Sequence, residues 1–187
     1  MNKKRIAIIG AGIGGMTTAV ALSQKGIDIS IFEQAPVLSE VGAGLTVTPN
    51  ATKGLMYLNL GEEIAKVGMA HEKQGVRHYK TGDMIVPLHR GKKMLEQYGA
   101  YQFQLHRADI HDVLVNELKK NAPDSIYVNH ELSDIKESSE SVALQFTNGE
   151  KHEFDFVIGA DGNRSTVRNI ILGDDEPEFA GYVAWRG

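Results

Sequence analysis

The chain has 187 residues, 42% hydrophobic and 24% charged, a balance that suits a globular protein and excludes a disordered one. Twenty Lys and Arg against 24 Asp and Glu leave a net charge of −4, and with no long basic block a nucleic-acid surface is not expected. There is no cysteine, which rules out disulfides, thiolate metal sites and cysteine nucleophiles and suits a reducing compartment. No apolar run approaches the ~18 residues of a membrane-spanning helix. The basic start Met1–Arg5 resembles a signal n-region, but Gly10 breaks the apolar stretch behind it, so a cytoplasmic start is expected. Glycine is the outlier. Eight of the 20 glycines fall in three clusters, a pattern that points to ligand binding through the backbone.

Ile6–Ile9 is a continuous apolar run, as expected of a strand buried on both faces. Gly10-Ala11-Gly12-Ile13-Gly14-Gly15 follows, then a helical stretch over Met16–Lys25 closed by Gly26. Ile27–Phe32 alternates like a strand and ends at Glu33. Strand, glycine turn, helix and strand in about 30 residues make a βαβ unit. Residues 34–48 read as a loop with a second glycine cluster, and Pro49 opens a short helix. Val76–Tyr79 and Met84–Leu88 flank Thr81-Gly82-Asp83 as a hairpin, and Tyr101–Leu105 reads as a third strand beside it. Arg107–Asn121 is the strongest helix, with an apolar stripe of Ile110, Val113, Leu114 and Leu118. Ser125–Val128, Leu132–Lys136, Val142–Thr147 and Lys151–Phe154 read as a meander with its last turn at Asn148-Gly149. Phe156–Ile158 is a further apolar strand, and Ser165 caps a helix over Thr166–Ile171.

Gly10, Gly12 and Gly15 stand where a strand meets a helix. The first permits a tight turn, the second lets the backbone approach a pyrophosphate, and the third packs helix on strand. Glu33 lies 18 residues after Gly15, where a carboxylate accepts both hydroxyls of an adenosine ribose. The motif alone does not choose between NAD and FAD. Among the seven histidines, His106 and His111 point to different helix faces and His78 and His89 flank the hairpin, so no metal site is expected.

Gly159-Ala160-Asp161-Gly162, continued by Asn163-Arg164-Ser165-Thr166-Val167-Arg168, resembles the second fingerprint of the FAD-dependent aromatic hydroxylases, the salicylate, hydroxybenzoate and 6-hydroxynicotinate hydroxylase group. Phe32-Glu33-Gln34-Ala35, Val41-Gly42-Ala43-Gly44-Leu45 with Pro49-Asn50, His106-Arg107-Ala108-Asp109 and the closing Tyr182–Gly187 resemble the same group. The resemblance implies an α/β fold: a doubly wound, Rossmann-like FAD-binding domain carrying part of an antiparallel substrate-domain sheet. Residues 1–70 and 107–177 would form the discontinuous FAD-binding domain, and 71–106 with 178–187 the partial substrate domain. Gly10, Gly12 and Gly15 would cradle the FAD pyrophosphate, Glu33 would hold the ribose and Gln34 would lie beside the adenosine. Gly42 and Gly44 would pass the flavin side. Arg107 would reach the pyrophosphate or ribityl region, Leu132 would pack near the adenine, and Asp161 would support the pyrophosphate end.

The implied activity is hydroxylation of a small aromatic or N-heteroaromatic acid, with NADH or NADPH as reductant and O2 as co-substrate. A non-aromatic or polycyclic substrate, or a nucleotide-binding module without catalysis, are the competing readings. Members of the family are about twice as long, and a third fingerprint and most substrate contacts lie in their second half. The chain is therefore expected to be an N-terminal portion, inactive alone, without an identifiable catalytic residue. It is also expected to pair into a homodimer through an exposed sheet edge.

Overall fold

A computed structural model describes residues 4–38, 44–173 and 178–183. In chain order the elements are β1 (Arg5–Ile9), α1 (Ile13–Ser23), β2 (Asp28–Phe32), β3 (Gly44–Val47), α2 (Pro49–Tyr57), α3 (Gly61–Val67), β4 (Lys73–Arg77) and β5 (Met84–His89). They continue with α4 (Lys92–Tyr98), β6 (Phe103–His106), α5 (Arg107–Asn121), β7 (Ile126–Tyr127), β8 (Leu132–Glu137), β9 (Val142–Phe146), β10 (Lys151–Phe154), β11 (Phe156–Gly159) and α6 (Thr166–Leu172). The chain divides into two compact units, Met1–Glu40 with Leu114–Gly187, and Val41–Val113.

The first unit is built on a parallel sheet in the order β11-β1-β2-β7. Register runs from Ile6↔Phe156 to Ile9↔Gly159 on one side of β1 and from Arg5↔Asp28 to Ile9↔Phe32 on the other. Parallel strands need crossovers, and α1 supplies the one between β1 and β2, packing on both through Met16, Ala19 and Val20. Because side chains alternate along a strand, Ala7, Ile9 and Phe32 share one face of the sheet and Ile8, Ile29 and Ile31 the other. The antiparallel meander β8-β9-β10 covers the first of these faces. Leu132, Leu144, Phe146 and Phe154 join Ala7, Ile9, Phe32 and Val167 in one buried cluster. Each large side chain so buried is worth about 1.5–3 kcal/mol against leaving it in water. Asp155 pins two strand starts together, accepting from the Arg5 amide at 2.8 Å and the Lys4 ammonium at 2.9 Å. Those two contacts, the amide first, hold its carboxyl below the ordinary aspartate value.

The second unit pairs β3 with β6, Gly44↔His106 through Val47↔Phe103, and β4 with β5 as a separate hairpin. It buries Val47, Leu55, Leu58, Leu60, Ile64, Phe103 and Leu105.

The βαβ start, the hairpin, the long helix and the Ser165 cap fall where the sequence places them. Ser165 Oγ accepts from the Arg168 amide at 3.0 Å. Other expectations need correction. The strand expected at 101–105 does not join the hairpin; β6 pairs with β3, because Leu105 and Phe103 bury their face there. Residues 126–127 leave the expected meander and close the parallel sheet, with Ile31 and Glu33 amides donating to Ser125 and Tyr127 carbonyls. α3 and α4 were not anticipated, and they bury one residue and none respectively, so no apolar stripe marks them. β11 is an edge strand among the described residues, with Phe156 53% exposed. Residues 178–183 carry no strand and are exposed, and Trp185 lies outside the described residues.

Candidate dinucleotide site

The carboxyl ends of β1, β2 and β11 meet at one edge of the parallel sheet, where open α/β sheets hold their ligands. Gly10, leaving β1, donates its amide to the Phe32 carbonyl at 2.8 Å, and the Ala160 amide donates to the Ile9 carbonyl at 2.8 Å. Gly10 has φ +101, and a side-chain Cβ there would stand 2.5 Å from the Ala160 oxygen. Only glycine satisfies both conditions. A Cβ on Gly15 would overlap the Gly10 carbonyl, so the third glycine seats the first turn of α1 directly on the strand end. Gly12 is the α1 N-cap in extended conformation, without a side-chain capping bond, and α1 has no acidic residue in its first turn. A Cβ on Gly14 would meet nothing within 4 Å. The amides of that first turn lack intrahelical acceptors by construction and carry the positive end of the helix dipole. This is an anion seat with clearance above it.

Glu33 stands beside it. Its Oε2 accepts from the Ala11 amide in the glycine turn at 2.9 Å, and its Oε1 from the Ala35 amide at 3.0 Å. Its backbone is tied as well, the amide to the Tyr127 carbonyl and the carbonyl to the His130 amide, both at 2.8 Å. Each carboxylate oxygen has two acceptor positions. One on each is used internally, and the second is suited to a sugar hydroxyl. Gln34 follows in an exposed bend.

Asp161 is braced inward. Its Oδ1 accepts from Ser165 Oγ at 2.5 Å and its Oδ2 from the Val167 amide at 3.1 Å, so its carboxylate orders the start of α6. Leu132 is 6% exposed within the core cluster. The structure thus brings Gly10, Gly12, Gly15 and Glu33 together, with Asp161 in the segment after Ala160.

In the second unit, Gly44 is the exposed first residue of β3 and is in register with His106, immediately before Arg107 at the head of α5. His106 Nδ1 accepts from the Ala108 amide at 3.3 Å, adding a side-chain acceptor at that helix start. Gly42 lies outside the described residues. Sequence reasoning missed the amide grip on Glu33 and the Asp161–Ser165 pair. Only the four-residue spacing of the latter was visible, and spacing alone does not reveal that the two side chains bond.

Residues 3–180 match the FAD binding domain family. The chain belongs to that family. The FAD-binding match agrees with the seat: a pinned carboxylate beside an anion-binding helix terminus is the donor and acceptor set that an adenosine diphosphate moiety requires. The chain is 36% identical over 183 residues to 6-hydroxynicotinate 3-monooxygenase of Pseudomonas fluorescens, covering 97% of this chain and 46% of that one. It is 37% identical to 3-amino-4-hydroxybenzoate 2-monooxygenase of Streptomyces cremeus, covering 98% and 45%. The structure of Klebsiella pneumoniae HpxO complexed with FAD and uric acid superposes with a TM-score of 0.79 at 27% identity, over 89% of this chain and 41% of that one. The chain therefore spans a little under half the length of the curated relatives it matches. Among the described residues, no helix is long and apolar enough to cross a membrane.

Proposed function

We propose that the chain is the cofactor-bearing part of an FAD-dependent monooxygenase that hydroxylates a small aromatic or N-heteroaromatic acid, with NADH or NADPH as reductant and O2 as co-substrate. The observation that carries the FAD assignment is Glu33, held by two amides at the rim of the Gly10–Gly15 turn. The substrate class rests on the relatives, which are named for hydroxynicotinate and aminohydroxybenzoate.

In this reading the turn of Gly10, Gly12 and Gly15 cradles the pyrophosphate, bringing it to the first-turn amides of α1, and Glu33 accepts the ribose hydroxyls. Gln34 borders the adenosine, with Leu132 supporting the adenine side from the core. Asp161 positions the α6 start at the pyrophosphate end. Gly44, with Gly42, and Arg107 serve the flavin and ribityl side, where a guanidinium fork suits a diphosphate. FAD supplies the redox chemistry when bound; the protein's part is to bind, orient and exclude water. Residues 1–70 and 107–177 act as the FAD-binding domain in this assignment, and 71–106 with 178–187 as part of the substrate domain. A cytoplasmic setting and self-association through the apolar hairpin complete the proposal.

The test is flavin titration of the purified protein, followed by NADH and NADPH oxidation assays with a panel of aromatic acids and mass analysis of the product. Glu33→Ala is expected to weaken FAD binding by about 1–3 kcal/mol, the scale of a charge-assisted hydrogen bond. FAD affinity equal to the parent's in a folded Glu33→Ala protein would falsify the seat.

A further inference from the structure

His130, Glu150 and His152 converge on one point of the first unit, adjoining Glu33, whose carbonyl accepts from the His130 amide. Glu150 immediately precedes β10 and His152 is its second residue, while His130 enters from the β7–β8 connection. Glu150 Oε2 lies 3.1 Å from His130 Nε2 and 3.0 Å from His152 Nε2, and the three ligand atoms all fall within 4.8 Å of one another.

The protonation logic is specific. His130 Nδ1 is 2.7 Å from the Val128 carbonyl, which can only accept, so Nδ1 carries the proton. In the neutral ring Nε2 then presents a lone pair, and it presents it to a carboxylate oxygen that also only accepts. A second proton on the ring resolves the conflict, and so does a cation held between the two atoms. A ring whose Nδ1–H is fixed by a backbone carbonyl while Nε2 faces an acid is the arrangement in which imidazoles ligate metals. Four-coordinate ions of the zinc type bind N and O donors at ~2.0–2.2 Å, which places neighbouring donors about 3.3 Å apart, close to the two separations here.

The surroundings hold this geometry without an ion. Phe32 and Phe146 pack on both imidazoles, with ring centroids 4.7 Å from each other and 5.1–5.8 Å from the histidine rings. The Glu150 carbonyl accepts from the Phe146 amide, and its amide donates to Asn148 Oδ1 at 2.9 Å. His130 is 10% exposed and Glu150 53%, so the cluster has a dry back and a solvent-facing front. We propose that His130, Glu150 and His152 bind one divalent transition-metal ion of the zinc type, with solvent in the remaining position.

The test is calorimetric titration of the full chain with Zn2+ in a non-chelating buffer, paralleled by Co2+ and its visible absorption. One ion per chain is expected, with the intense d–d bands of a low-coordinate Co2+ site. Glu150→Gln and His152→Ala, both at partly exposed positions, should each lower the affinity by ~10–100-fold, the scale seen when even an outer partner of a ligand is removed. His78→Ala, in the hairpin, should leave stoichiometry and affinity unchanged. Absence of stoichiometric uptake by the parent would overturn the proposal, as would parental affinity in both cluster variants. Melting temperatures of the same variants establish that each is folded, so a loss of binding reads as loss of the site.

Discussion

Strands β1 and β2 of the parallel sheet and strand β5 of the hairpin are comparably apolar and end in opposite surroundings. Ala7, Ile8 and Ile31 are fully buried and Phe32 is 1% exposed, whereas Val76, Ile85 and Val86 are 52%, 58% and 45% exposed. Strand composition is therefore not what decides burial; what decides it is whether a second layer exists. β1 and β2 have α1 and the meander packed on them, while the hairpin pairs only with itself among the described strands. An isolated two-stranded ribbon is marginal in water, so the hairpin is the less protected region.

The sharpest way to break this comparison is a matched pair of truncations. Ile31→Ala should cost about 2–5 kcal/mol of unfolding free energy by chemical denaturation, because a void opens in a packed core. Ile85→Ala should stay within about 0.5 kcal/mol, as surface changes do. Equal costs would show that the hairpin is covered after all. Gly10→Ala comes next: positive φ alone carries about 1–3 kcal/mol, and the Ala160 carbonyl must also shift. Denaturation and FAD titration should both register it. Asp161→Ala should cost about 1 kcal/mol through loss of the α6 brace, measured by the same denaturation curves. A variant of unchanged stability that loses FAD would instead mark Asp161 as a direct contact.

The smallest effect is in pH. The Asp155 carboxyl sits below its ordinary value because the Arg5 amide and the Lys4 ammonium favour the charged form. Its contribution is full above the unfolded-state pKa of about 3.9 and disappears as pH falls through the lower folded value. The parent should thus melt above Asp155→Asn at neutral pH, and the gap should close in acid. A gap independent of pH would assign the effect to packing.

Local signals and hairpin pairings were legible in the sequence, and pairings between distant segments were not. Gly10, Gly12, Gly15 and Glu33 declare a βαβ turn because glycine at φ > 0 and a strand-end acid are chemical requirements of that turn. Tyr101–Leu105 shows alternation, but alternation names a face and not a neighbour, so its partner β3 stayed hidden. α4 could not be read because Lys92–Tyr98 buries nothing. At the site, Glu33 was visible as a ribose acceptor, but its two amide donors depend on how the Gly10 turn folds back. Asp161 was legible as support for the pyrophosphate end, but its hold on the Val167 amide, six residues on, depends on how α6 starts.

The strand order β11-β1-β2-β7 also has a consequence in time. Ile9 is made 150 residues before its partner Gly159, and Phe32 about 95 before Tyr127. At synthesis rates of ~5–20 residues per second, β1 waits roughly 8–30 s and β2 roughly 5–19 s for their outer neighbours. During that interval the nascent βαβ unit has both sheet edges unpaired and no meander over Ala7, Ile9 and Phe32. The glycine turn forms early from local contacts, but the backbone bonds of Glu33 to Tyr127 and His130 wait for β7 and the connection after it. Ligand-binding competence should therefore appear late and abruptly in a ribosome-stalled length series, between residues 130 and 170, and not in proportion to chain length.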